Sequence, residues 1–587
     1  EEEEVVPQVS VVAGAAVVPD KPGALGRKGL RKKVLKRKEQ EPAHIKYLDK
    51  YLSQLYEEDL GAKVRATALL LQLVQAPQHL RAVVSHPTLA TALARVLQED
   101  RKRSTALVAN VLEIFFCFSS IRELHPLLVQ HKIGATTMSV VDLELRRYQA
   151  KAADDAQVHT CGLVAGDAAQ NALALAQPGA AASGCKLCAF LQQQERLLFV
   201  CLYVLLNLAE DVSLEARMVQ RHLIHQVATV LSHRNPDQTY LQHLHLLAVA
   251  FLKKLALVRA NVVEMHREAV PARVMALLTA GLLPRAASAA SGGAVTWMVS
   301  GGEQEAVLAN AALRLCYNLC FHPASRMLMV AALPAIAPRI THAPTAQMAT
   351  RVLYHLSTDA HALPHVVAAL LPYLPALTHT LIAAPGPSAD HELAALALNL
   401  AVHARAARAM ALPDGAALLL ARALRTQDVL LLRVVRALTA HPFAQPVLAQ
   451  FVQDLAAAAT NLGAGAAGWA GEARLEATWL LAATDIRGVR FGALVRQFPL
   501  QELVLAHLRE RRGEPLQPDV RMVGVVLLGA LVADGAAASA LCTAPVVQGV
   551  CLSARAALES GDLDLAVQAL FCIFRMLHHS RVRAAMV

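Results

Sequence analysis

The clearest metal-type donor set in this sequence is His159 and Cys161, followed by Cys185 and Cys188 in the stretch CKLC. A two-residue gap lets two thiolates reach one zinc ion, and a second CxxC would strengthen the signal. No second pair accompanies CKLC, so the expectation is free thiols and no bound metal. Gly463, Gly465 and Gly468 spell GAGAAG, the letters of a dinucleotide-phosphate loop. That loop works only between a strand and a helix, whereas the preceding FVQDLAAAATNL reads as helix, which makes the glycines an interhelical turn. The 24 histidines are scattered, and no HExxH, GxSxG or GxxxxGK[ST] arrangement is present. No catalytic residue and no cofactor is therefore expected, and the enzyme class is disfavoured.

A different pattern does recur. LYVLLNLAEDVSLEAR, LAVAFLKKLALVRAN, ALRLCYNLCFHPASR, VLYHLSTDAHA, LALNLAVHARA and VVRALTAHPFA repeat one helical phrase. Anchoring on the residue before the last apolar pair gives Asn207, Lys254, Asn318, His355, Asn399, Ala437, Ala482, Ala530 and Arg575, at steps of 37 to 64 residues. A helical period near forty is the mark of armadillo or HEAT stacking, and Cys117 in LEIFFCFSSIRE stands two such steps before Asn207. The expected fold is an all-α, armadillo/HEAT-like α-solenoid, a right-handed superhelix of helical repeats.

Leu202, Leu205, Leu206 and Ala209 form one stripe at helical spacing, and Asn207 falls off it. If this helix is the inner one of its unit, Asn207, Asn318 and Asn399 recur along a concave groove, where an amide both donates to and accepts from a peptide backbone. An Asn that ends or bends its own helix is the competing reading. On the groove reading, Asn207, Lys253, Lys254, Asn318, His355 and Asn399 are the candidate partner-binding residues.

The totals agree with a stack. The 587 residues are 55% hydrophobic but only 4% aromatic, and rarely alternate as a half-buried strand would. A solenoid also escapes the length limit on single-core domains, because it grows by adding units. Cys117, Cys201, Cys316, Cys320 and Cys572 lie inside apolar helical text, which suits reduced core thiols. The net charge is +10, and Arg27 to Lys38 (RKGLRKKVLKRK) carries eight of those charges. The rest is nearly neutral, which argues against a nucleic-acid-binding surface; the run itself reads as a nuclear address, an anionic docking tail or a solvated arm. No apolar stretch follows a basic start, so no signal peptide is expected and the cytosol is the default compartment. The uncharged window Ala360 to Ala389 holds three histidines and five prolines, so it reads as two buried helices and a turn, with no membrane span.

Four segments follow: a disordered arm over 1–43, armadillo-type repeats over 44–148, an Ala-rich inserted loop over 149–191, and repeats over 192–587 with a second loop near 284–304. Deleting Gln149 to Ala189 is expected to leave the stack intact. The chain begins without Met and stops at RVRAAMV with no polar closing unit, so both ends are expected to be incomplete.

At YLSQLYEEDLGAKVRATALLLQL (Tyr51 to Leu73) and LATALARVLQEDRKRSTALVANVLEIFFCFSSIRELHPLLVQHKIGATTMSVVDLELRR (Leu89 to Arg147), the chain resembles the kinesin-associated protein family, the non-motor subunit of heterotrimeric kinesin. LVANVLEIFFCFSS and HKIGA are the most distinctive stretches, and the likeness continues through the later repeats apart from the inserts. The resemblance implies a non-catalytic armadillo adaptor that grips the tail regions of two kinesin motor subunits and links them to cargo, notably the trains that build cilia and flagella. It implies a cytoplasmic, cytoskeleton-associated or ciliary location. Two departures stand out: the insert replaces the family's more charged linker after ELRR, and the family's final repeats after FRMLHH are absent. The alternative is an armadillo-type nuclear import or other peptide-binding receptor. Such import receptors read basic peptides with recurring Trp and Asn pairs, whereas Trp297, Trp469 and Trp479 do not sit beside the repeat asparagines.

Overall fold

A computed structural model of the chain describes residues 42–155, 186–233, 239–280, 301–386, 388–460, 471–484, 489–509, 518–579 and 583. Eleven helices follow one another as a side-by-side ladder, each packed on the next: α1 (Leu60–Gln75), α2 (Thr105–Ser119), α3 (Lys186–Leu208), α4 (Thr239–Leu255), α5 (Gly301–Cys320), α6 (Ala343–Ser357), α7 (His391–Ala401), α8 (Val429–Thr439), α9 (Gly471–Ala482), α10 (Pro518–Leu531) and α11 (Leu563–Leu577). The intervening helices form a second layer. There the run Leu374–Ala383, Gly415–Thr426, Val452–Thr460, Leu500–Leu508 and Ala544–Ser560 is likewise packed member on member. One core of Leu, Val, Ala and Phe side chains lies between the layers and extends from Leu48 to Met576. No strand occurs among the described residues.

Short polar residues start the ladder helices. Asp59 accepts from the Gly61 and Ala62 amides, Ser104 from Leu107, Asp390 from Glu392, and Asp428 from Leu430. Each satisfies amides that the first turn leaves without an intrahelical partner. Proline opens many of the second-layer helices, including Leu363–Leu370 and Leu374–Ala383, because its fixed φ suits the first turn and its missing N–H is not needed there. Those two helices occupy the uncharged window and are bent by 82° at their junction. No single described helix is long and apolar enough to cross a membrane.

Helix ends are closed by the next unit. Arg273 reaches the Ala228 carbonyl (3.1 Å), Arg339 that of Leu278 (3.1 Å) and Arg422 that of Ile382 (3.0 Å), each about one repeat back in the chain. His441 donates likewise to Ala401 (2.9 Å), His579 to Val532 (2.8 Å) and Arg575 to Gly529 (2.8 Å) on the ladder layer. A cationic or imidazole donor at a helix C-terminus meets both the orphan carbonyls and the negative end of the helix dipole.

The structure departs from the sequence reading at the margins of the inserts. The helix Ile133–Asp155 runs past Tyr148, and α3 begins at Lys186, so both edges of the 149–191 segment are helical. Ala-rich text with few glycines propagates a helix once packing has started it. Likewise α5 begins at Gly301, inside the expected 284–304 loop. The basic run Arg27 to Lys38, the GAGAAG stretch, His159, Cys161, Cys185, Trp297 and Trp469 lie outside the described residues.

Candidate interaction surface

The anchor residues sit in the last turns of the ladder helices, half-buried between neighbours except for the buried Ala482 and Ala530. The Asn207 amide donates to Ser119 Oγ on α2 (2.9 Å), and the Asn399 amide makes the same bond to Ser357 Oγ on α6 (2.9 Å). Asn318 donates to the Lys253 carbonyl on α4 (3.1 Å). The three asparagines thus use their N–H groups to tie each ladder helix to the one before it. These bonds run between helices, so they do not make any of the three an Asn that bends its own helix.

Lys254 is half-buried, and burial pulls its ammonium below the usual lysine range while Glu215 and Glu210 act against that shift. Its neighbour Lys253 is half-buried as well. His355 stands in an aromatic group with the Tyr317 ring at 5.1 Å and the Phe321 ring at 4.8 Å. Burial, and then the charge of Arg326, lowers its imidazole from the ordinary histidine range. The structure therefore places Lys253, Lys254, Asn318 and His355 on three consecutive ladder helices, α4 to α6, with Asn207 one helix before them and Asn399 one after.

Charges of both signs alternate across the described ladder face. Arg196 pairs with Glu113 (2.8 Å), Arg351 with Glu392 (2.6 Å), and Glu476 receives both Arg433 (2.9 Å) and Arg436 (3.1 Å). The Arg436 guanidinium also lies over the Trp479 ring, 5.5 Å from its centroid. Sequence reasoning missed these ion pairs between units, as it missed the histidine donors. The recurrence of His322, His403, His441 and His579 four residues after an anchor was the signal available.

The buried thiols are chemically quiet. Burial raises Cys117 to about 11 and both Cys316 and Cys572 to about 12, so none is a thiolate nucleophile at neutral pH. Among the described residues no group of three or more His, Cys, Asp or Glu could hold a metal ion. A hollow of about 400 Å³ between Gly415–Thr426 and Val452–Thr460, lined by Leu424, Arg425, Phe451 and Asp454 among others, lies in the second layer, away from the ladder face.

Two packed helical layers with a continuous ladder on one side define an armadillo-type α-solenoid. A solved structure titled for a phosphorylation switch that controls the interaction between cadherin and β-catenin superposes with a TM-score of 0.60 at 13% identity, over 90% of this chain and 91% of that one. An engineered protein aligns over 90% of this chain and 98% of its own, at 12% identity and a TM-score of 0.44. The model of the kinesin-associated protein family matches residues 31–282 and 296–587. The chain belongs to that family.

Proposed function

We propose that this chain is the non-catalytic adaptor subunit of a heterotrimeric kinesin, holding two motor polypeptides by their tail regions and linking them to cargo, in the transport that serves cilia and flagella. The observation that carries this reading is the family match, which runs through almost the whole solenoid. Solenoids use such long faces to hold polypeptides. On this reading the α4 to α6 stretch of the ladder, with Lys253, Lys254 and His355, contacts the motor tails, and the Asn207, Asn318 and Asn399 bonds set the spacing between units.

The test is co-purification with the two motor tails, comparing the wild type with a Lys253→Glu/Lys254→Glu variant. Loss of recovery in the variant supports the assignment; unaltered recovery moves the contact away from that unit.

A further inference from the structure

Three residues after the anchor, Glu210, Leu257, Phe321, Thr358, Val402, Ala440, Ala533 and His578 are all exposed, just beyond the ends of their ladder helices. In α4, α5 and α7 that position holds Leu257, Phe321 and Val402, which are 76%, 58% and 67% exposed. The corresponding residue beyond α6 is the exposed Thr358. Large apolar side chains exposed at one recurring register are not scattered surface hydrophobics, and a row of them marks a docking strip. Phe321 also packs on its surroundings, edge-on to Tyr317 at 5.2 Å in the helix it follows and 4.8 Å from His355 in the next unit. A side chain already packed loses less entropy on binding.

Spacing supplies the first criterion for the occupant. Packed helices lie about 8–10 Å apart, so Leu257 to Phe321 spans one such step and Phe321 to Val402 spans two. An α-helix rises 1.5 Å per residue, so at the wide end of that range one step is about seven residues and returns to nearly the same face. An extended chain covers one step in about three residues, and an odd offset turns the second side chain to the opposite face. Charge supplies the second criterion: the exposed Arg259 and Arg405 follow Leu257 and Val402 into the next helices, the half-buried Arg326, which donates to the Cys320 carbonyl, follows Phe321, and Asp359 is the acidic residue beside Thr358. We propose that the Leu257–Phe321–Val402 edge docks an amphipathic, acidic α-helix of the kinesin partner, laid across the ladder with apolar residues at intervals of about seven and a polar residue opposite Thr358. This deepens the kinesin-adaptor reading and rests on it.

Purified kinesin motor polypeptides are the probe. Binding is measured for the wild type, for a Leu257→Asp/Phe321→Asp/Val402→Asp variant, and for Leu418→Asp, which alters an exposed residue of the second layer. Thermal melts confirm that each variant is folded. The expected result is about tenfold or greater weakening for the triple variant and none for Leu418→Asp. A photocrosslinking residue at position 257 and another at 402 then map two points on the partner. They are expected about 20 residues apart in its sequence for a helix, against about nine for an extended strand. Wild-type binding that the triple variant retains overturns the edge as the docking site, and a crosslink separation near nine overturns the helix. Absence of wild-type binding overturns the kinesin reading and this inference together.

Discussion

The Asn207 amide donates to Ser119 Oγ across 2.9 Å, joining two ladder helices whose bonded residues are 88 positions apart in the chain. The span covers the insert, yet α2 and α3 remain adjacent. The equivalent bond from Asn399 to Ser357 crosses 42 positions with the same length. The ladder geometry is therefore independent of what lies between its helices, which is the behaviour of a stack held by nearest-neighbour contacts.

Asn207→Ala and Ser119→Ala are each expected to cost about 1 kcal/mol, the usual net value of one hydrogen bond. The double variant should cost less than the sum, because the second change removes a bond already gone. A long repeat array does not unfold in two states, so native-state hydrogen exchange of α2 and α3 is the suitable reading.

Glycines separate close packing from open surface. A Cβ on Gly492 would stand 2.7 Å from the Ala536 Cβ, beside the Asp534 carboxylate that accepts the Gly492 amide at 2.8 Å. Gly492→Ala should therefore lose about 1–3 kcal/mol through overpacking. A Cβ on Gly471, the first residue of α9, meets nothing within 4 Å, so Gly471→Ala should be neutral or gain up to about 1 kcal/mol. Thermal melting of the two variants gives the comparison.

The N-terminal units hold a buried ion pair, Lys63 to Asp100 at 2.6 Å, with Arg103 on the other carboxylate oxygen at 2.9 Å. Burial raises the Asp100 carboxyl, but the bonds from Lys63 and Arg103 outweigh it and hold the group below its ordinary value of 3.8. The stabilisation is thus present above about pH 4 and is lost as pH falls through the lower folded value. Lys63→Met, which leaves the carboxylate buried with Arg103 alone, should cost about 3 kcal/mol, measured by urea unfolding followed at α1 and α2.

His233 is buried and stacked on Tyr148 with ring centroids 3.7 Å apart. Burial, and then the charge of His245, pushes its imidazole down from 6.5 to about 3. Between those values the unfolded chain binds a proton that the folded chain does not, so stability falls as pH drops, by up to about 1.4 kcal/mol per unit. His233→Phe keeps a stacked ring and should flatten that part of the melting-temperature profile; an unchanged slope would assign it to other groups.

The fold was legible because its signal repeats. Leu202, Leu205 and Ala209 are buried as their spacing required, Leu206 of the same stripe is half-buried, and the anchors fall in the last turns of successive ladder helices. The register is weakest at Ala482, which ends α9 itself, because Ala-rich text carries no polar marker to fix the turn. The asparagines were visible as a recurring type, but their partners lie 42 to 88 positions away and could not be paired from one sequence. The insert margins were read as loop because their composition is bland, whereas the packing of Gln194 against Glu144 (2.8 Å to its carbonyl) gives the adjoining helices a tertiary hold.

On the proposed adaptor function, this solenoid holds two kinesin polypeptides at once. The most direct measurement is the mass, by light scattering after size exclusion, of the chain mixed with both motor polypeptides. The account predicts a single species whose mass is the sum of one copy of each. A chain that elutes alone, while the two motor polypeptides elute without it, would contradict it.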